Sequence, residues 1–386
     1  MPMIDGASIE EAVRILEYAY NAVPKQSVFL MGSPGIGKTQ APKIFAKKMA
    51  EKLGSRFHCV IEDMPSVSSI DARGLIKVSP SALFPEGRTV YSASPLMPPD
   101  ELQKDPGVFV ADETPSAEKE VQVALHSLVH PDEKRLGRHK LPDNWMVVAT
   151  GNLSTDNAGA DDLLTAFRDR GILVRVVPSV TEWLEHYAFT AHIHPLVHGA
   201  VSFDTSLFNP PYNEKDNVFP ATPRALERLS KMLYAMGVGD KVDANFSEDT
   251  AKLAIVNGCV HPTISSRMIA IWHVGRDMEN PEKAFEPKCR VLPKKAEILY
   301  LYSAAVAGRL VSVKETDKIL NVFEYASWLE AQKENSNLPI REIATILFTG
   351  VVNRLKVTLG DASKIGQVLG KKFGNNAAAE FTKYLV

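Results

Sequence analysis

The stretch "GSPGIGKT", residues 32–39, constrains this chain more than any other. It fits G-x-x-x-x-G-K-[ST], and its surroundings meet the condition that makes the pattern specific. A short apolar run, "SVFLM", precedes it, and "TQAPKIFAKKMAEKL" follows with helical spacing. Glycines at these positions let successive backbone N–H groups turn inward around phosphate oxygens. The N-terminus of the next helix adds partial positive charge. The candidate binders are Gly32, Ser33, Pro34, Gly35, Ile36, Gly37, Lys38 and Thr39. In this pattern Lys38 reaches the β and γ phosphates of a nucleotide, and the Thr39 hydroxyl ligates Mg2+.

The rest of the first half agrees with an α/β fold. "RFHCVIED", "GVFVADE", "WMVVATGN" and "GILVRVV" read as strands, and "SAEKEVQVALHSLV" reads as a helix between the second and third of them. Strands that are apolar throughout, alternating with helices, predict a parallel sheet covered on both faces. Ahead of them, Ser8 and Glu11 form a capping-box pattern for the helix "SIEEAVRILEYAY". After about residue 178 the pattern turns helical, with "TEWLEHYAFTAHI", "TPRALERLSKMLYAM", "EDTAKLAIVNGCV", "TISSRMIAIWHVG" and "KKAEILYLYSAAVAGRL". "FNPPYNEKDNVFPATP" is the most loop-like stretch. The expected division is an α/β domain over residues 1–177, a helical lid over 178–290 and a helical extension over 291–386.

Composition narrows the class. The 386 residues are 45% hydrophobic and 23% charged, as in a globular protein with a sizeable core. A formal charge of −2 gives no overall attraction to nucleic acid or anionic lipid. The apolar runs are too short to span a bilayer, and the N-terminus lacks the regions of a signal peptide. Cys59, Cys259 and Cys289 form no CxxC unit, so neither a disulfide framework nor a zinc site is expected, and the cytoplasm is the simplest compartment.

Six further positions are candidates for chemistry. Asp112 and Glu113 end the strand "VFVADE", at the edge where ligands bind in open α/β sheets. Asp112 is the expected Mg2+ partner, and Glu113 is placed to act as general base on an attacking water. Asn152 ends the next strand, either to hold that water or the γ-phosphate or simply as a turn residue. Arg168 and Arg170 flank Asp169, either as a solvated group or with one guanidinium reaching a neighbour's γ-phosphate. Arg224 opens a helix behind Thr222 and Pro223, a plausible N-cap and N1 pair. A cation there opposes the helix dipole, which suggests an anionic partner elsewhere. "HIHPLVH" holds His192, His194 and His198, read as structural in preference to metal-binding because no further ligand follows at a clear spacing. Two segments read as hairpins: residues 130–145, carrying Lys134, Arg135, Arg138 and Lys140, and residues 75–93, with a turn near "PEG".

Taken in order, these motifs resemble an AAA+ ATPase, and more closely its MoxR-like branch. The idioms that carry the likeness are "DARGLIKV", "LHSLVHPDEKRLGRHKLPDNWMVVATGN", "TEWLEHYA" and "FPATPRALERLSKML", over roughly residues 8–310. The resemblance implies ATP and Mg2+ as cofactors and a hexameric ring with sites between subunits. It also implies remodelling of protein partners, often with a von Willebrand factor A-type protein. It further assigns Asn152 as the sensor-1 residue, Arg224 as the sensor-2 arginine, and Arg170, with Arg168 in reserve, as the arginine finger given in trans. Gly171 stands where the family places an aromatic residue after that arginine. The two hairpins match family inserts that face the ring's pore. A nucleic-acid motor or loader on the same fold is the alternative, favoured by the basic hairpin.

Overall fold

The structure, a computed structural model, describes residues 4–92, 94–152, 169–334, 336–360 and 362–373. The chain divides into two compact units, Met1–Ser179 and Val180–Val386.

The first unit is built on strands β1 (Ile4–Ala7), β2 (Val28–Met31), β3 (His58–Asp63), β4 (Ile76–Ser81), β5 (Phe84–Tyr91), β6 (Gly107–Asp112), β7 (Arg135–Leu136), β8 (His139–Lys140), β9 (Trp145–Gly151) and β10 (Ile172–Val176). Six of them make one parallel sheet in the order β1-β10-β2-β9-β6-β3. Side chains alternate across it. Val28 and Leu30 face one core, shared with Val13 and Leu16 of the helix Ile9–Asn21 and with Phe45 and Met49 of the helix Gln40–Leu53. Phe29 and Met31 face the other core, shared with Val121 and Leu125 of the helix Lys119–Val129. Both faces are therefore covered, which is why β2, β6 and β9 read as continuous apolar runs. The capping box forms as the sequence implies: Glu11 N donates to Ser8 Oγ at 3.2 Å and Ser8 N to Glu11 Oε2 at 2.8 Å.

β1 has no signal of its own in the sequence. It is a strand because it pairs with β10 at the edge of the sheet.

Both hairpins form, with two corrections. In the first, β4 and β5 pair antiparallel around Ala82 and Leu83, so the turn is not at "PEG". Pro85, Glu86 and Gly87 lie within β5. Gly87 takes φ +86° close to a shift in register, a bulge in place of a turn. In the second, β7 and β8 close around Gly137 at φ +58°, where an added Cβ would lie 2.8 Å from Arg73 O. Lys134 is not part of a solvated basic face. It is only 2% exposed, takes φ +45°, and donates from Nζ to Trp145 O at 3.0 Å. Burial pushes its ammonium pKa down. The basic side chains left outward on this hairpin are Arg135, Arg138 and Lys140, alongside the exposed acids Asp132, Glu133 and Asp143. Lys140 is itself paired with Asp143 at 2.9 Å.

The second unit is helical. Its core draws on the helices Pro195–Phe203, Pro223–Ala235, Pro262–Val274, Ala296–Leu310, Thr316–Ala331 and Ile340–Leu359. Trp272 and Tyr302 are among its largest fully buried side chains, so helices on either side of residue 290 share one core. His194 caps the helix Pro195–Phe203, with Nδ1 accepting from Leu196 N at 3.2 Å and Nε2 against Val238 O at 2.9 Å. Those contacts give it a structural task. Among the described residues no single helix is long and apolar enough to cross a membrane.

Candidate active site

The loop after β2 leaves the sheet at its carboxyl edge, between β9 and β10. Gly32 N donates to Gly151 O at 3.2 Å, tying the loop to the end of β9. A Cβ on Gly32 would sit 2.5 Å from Val176 O, so only glycine fits against the end of β10. Gly35 and Gly37 take φ +76° and +100°, turning the chain back before the helix Gln40–Leu53 begins. Ile36 is buried and anchors the loop from beneath, while Ser33 and Pro34 lie partly exposed on it.

Lys38 is 5% exposed. Its Nζ donates to Gly32 O at 2.9 Å, Ser33 O at 2.8 Å and Asn152 Oδ1 at 2.8 Å. Asn152 in turn donates from Nδ2 to Glu113 Oε2 at 2.9 Å. On the other side of the loop, Thr39 Oγ1 donates to Asp112 Oδ1 at 3.0 Å and Oδ2 at 3.2 Å. Thr39 stands at the N-cap of its helix, yet its side chain makes no capping bond. The hydroxyl is turned to the carboxylate instead, and two hard oxygen donors meet beside the loop. That donor set suits Mg2+.

Glu113 is the first residue past β6 and takes φ +55°, the left-handed region. A non-glycine residue held there stores backbone strain of about 1–3 kcal/mol. Its N–H donates to Thr150 Oγ1 at 3.3 Å, and the Thr150 hydroxyl donates to Asp112 Oδ1. Lys38, Asn152, Glu113, Thr150, Asp112 and Thr39 thus form one continuous chain of contacts across β2, β9 and β6. Strand order explains it, since β9 lies between the other two.

Two positions in this site escape sequence reasoning. Thr150 is fully buried in an otherwise apolar strand. A hydroxyl in such a run needs a partner, and that was its signal. Gly151 has no room for a side chain, because a Cβ would lie 2.2 Å from Pro115 Cδ. The Pro115 ring lies against the strand end between Thr150 and Asn152.

The arginines are placed differently. Arg170 is partly buried and donates from Nη1 to His126 O at 2.8 Å, near the C-terminal end of the helix Lys119–Val129. Its charge, after burial, helps to hold the His126 pKa down. The following Gly171 is fixed by packing: a Cβ there would lie 2.3 Å from the Phe29 ring and 2.8 Å from Ser27 O. Arg168 lies outside the described residues. Arg224 belongs to the second unit and is exposed in the first turn of Pro223–Ala235. Thr222 caps that helix by accepting from Ala225 N at 3.2 Å, with Pro223 at its first position.

Residues 27–171 match the family model described as the AAA domain, dynein-related subfamily. The match begins at β2, takes in the loop, both acids and Asn152, and ends at Gly171. The first unit therefore holds an AAA domain, and its sheet with flanking helices, followed by a helical region, is the P-loop NTPase fold. No curated protein matches the chain. Among solved structures, a candidate ATPase from Cytophaga hutchinsonii matches at 15% identity over 68% of this chain and 92% of its own, with a TM-score of 0.30. A point mutant of Thermotoga maritima RuvB matches at 15% identity over 88% of this chain and 99% of its own, with a TM-score of 0.38.

Proposed function

We propose that this chain is an ATP-hydrolysing ring motor of the MoxR-like type, which uses Mg-ATP to remodel protein partners in the cytoplasm. The observation that carries the reading is the unbroken chain of contacts from Lys38 to Thr39 through both acids. A scaffold that only held nucleotide would need no such link between the phosphate lysine and a general base.

The residues act as follows. Gly32, Ser33, Pro34, Gly35, Ile36 and Gly37 wrap the phosphates with backbone N–H groups. Lys38 exchanges the Gly32 and Ser33 carbonyls for phosphate oxygens. Thr39 and Asp112 hold Mg2+, which neutralises phosphate charge when bound. Glu113 takes the proton of the attacking water, and Asn152 orients that water or the γ-phosphate. Arg224 closes on the nucleotide from the lid, and Arg170, or Arg168, completes a neighbour's site in a hexamer.

The division into a lid, 178–290, and an extension, 291–386, belongs to this reading. A core shared across residue 290 implies that the two would move as one body. The hairpins Ile76–Tyr91 and Arg135–Lys140 would contact the client, with a von Willebrand factor A-type protein as the expected partner. The alternative, a motor acting on nucleic acid, draws on the same basic hairpin. It loses weight because Lys134 is buried and Lys140 is paired.

The test is ATP turnover per subunit against protein concentration, with Mg2+ and no partner. Specific activity that climbs and saturates supports sites shared between subunits. Absence of turnover at every concentration, with and without added client, would sink the reading. Stimulation by DNA that fades with salt would favour the alternative.

A further inference from the structure

Thr150 is the one buried hydroxyl in β9, and its neighbours Val147, Val148 and Ala149 are buried and apolar. It does not satisfy itself locally. Its Oγ1 donates to Asp112 Oδ1 and accepts from Glu113 N at 3.3 Å, so one hydroxyl holds the Asp112 carboxylate and the Glu113 backbone. A carboxylate on a single Cβ rotates freely unless a second donor fixes it. Thr39 reaches both oxygens of Asp112, at 3.0 Å and 3.2 Å, and so does not choose between them. Thr150 does choose, by bonding Oδ1 from the neighbouring strand β9. The same hydroxyl holds the N–H of Glu113, the residue kept in the left-handed region.

We propose that Thr150 is a positioning residue for metal binding: its hydroxyl fixes the rotation of the Asp112 carboxylate and, through Glu113 N–H, the strained turn that aims the Glu113 side chain. This rests on the ATPase reading above. Removing a group that hydrogen-bonds and orients a metal's own ligand typically costs about 10- to 100-fold in metal affinity. A side chain that only filled the strand would not discriminate between metal and nucleotide.

The test separates the two ligands. The affinity for a fluorescent ADP analogue is measured in EDTA, and Mn2+ binding is measured by electron paramagnetic resonance in the presence of ADP. Thr150→Val keeps the shape and removes the hydroxyl. It should leave metal-free ADP binding within about twofold and weaken Mn2+ binding by about 10- to 100-fold, with Thr150→Ser restoring most of the loss. If Thr150→Val does not fold by circular dichroism, Thr150→Ala carries the same comparison without an added methyl in the hydroxyl's place. Unchanged Mn2+ binding in the hydroxyl-free variant overturns the proposal. So does an equal loss of ADP and Mn2+ binding, which would mark a packing role. A native protein that binds no ADP analogue would instead overturn the ATPase reading itself, and this role with it.

Discussion

Lys38 and Asn152 lie 114 residues apart in the chain and meet at 2.8 Å, ammonium to amide oxygen. The contact spans β2 and β9, which are neighbours in the sheet. It places the phosphate lysine two hydrogen bonds away from Glu113, because the same amide donates to that carboxylate. A phosphate that draws Lys38 away therefore changes what Asn152 and Glu113 can bond to.

Replacing Lys38 with alanine removes the donor from Gly32 O, Ser33 O and Asn152 Oδ1 together. Truncating one partner of a desolvated charge contact costs about 2–5 kcal/mol, so ATP affinity should fall on the order of 100-fold or more. Titration with a fluorescent ATP analogue checks this, against a circular dichroism melt that shows the fold is kept. Full-strength binding by Lys38→Ala would contradict the role given to it.

Glu113→Gln keeps an oxygen for Asn152 Nδ2 and removes the base. Nucleotide binding should persist while turnover falls by about 10²–10⁴-fold, the usual weight of a general base. Phosphate release under saturating Mg-ATP measures it. Turnover at the native rate would move the base elsewhere.

Arg170 does two separable things. As a finger it should contribute about 10³–10⁵ to turnover in the assembled ring. As a donor to His126 O it should contribute only about 1 kcal/mol to the stability of the first unit, since the side chain is partly exposed. Arg170→Ala should abolish hydrolysis, retain nucleotide and lower Tm slightly. A lower Tm with normal hydrolysis would leave Arg170 a purely structural residue and pass the finger to Arg168.

His198 makes the second unit sensitive to acid. It is buried against Phe189, and its Nε2 has no hydrogen-bond partner among the described residues. Burial lowers its pKa from 6.5 to about 4. The unfolded chain therefore takes up a proton that the folded one refuses. Its stabilising effect is complete above about pH 6.5, falls with pH by up to about 1.4 kcal/mol per unit, and is lost at about pH 4. His194 shifts in the same direction through burial, so part of the slope is its own. Urea unfolding between pH 7 and pH 5 should show a shallower loss for His198→Leu than for the native chain. Equal slopes would mean that His198 is already protonated or accessible.

The sequence carried the phosphate loop because its requirements are local. Gly35 and Gly37 need positive φ, Thr39 opens a helix, and all lie within one turn of chain. The capping box of Ser8 and Glu11 and the cap of Thr222 before Pro223 are legible for the same reason. So are β2, β6 and β9, since strands buried on both faces read as nearly continuous apolar runs.

Contacts set by strand order were not legible. Thr150 bonds Asp112 because β9 lies beside β6, and Gly151 is bare because Pro115 lies against it. The β4–β5 turn falls at Ala82 and Leu83 because Gly87 serves as a bulge, and turn-rich letters do not distinguish the two. Lys134 reads as a surface charge until the fold supplies Trp145 O as its acceptor. The sequence by itself determined which short segments turn, cap and bury, because those are matters of backbone conformation and local periodicity. Only the tertiary structure decided which distant side chains share a hydrogen bond, because that depends on the lateral order of strands, which no local pattern encodes.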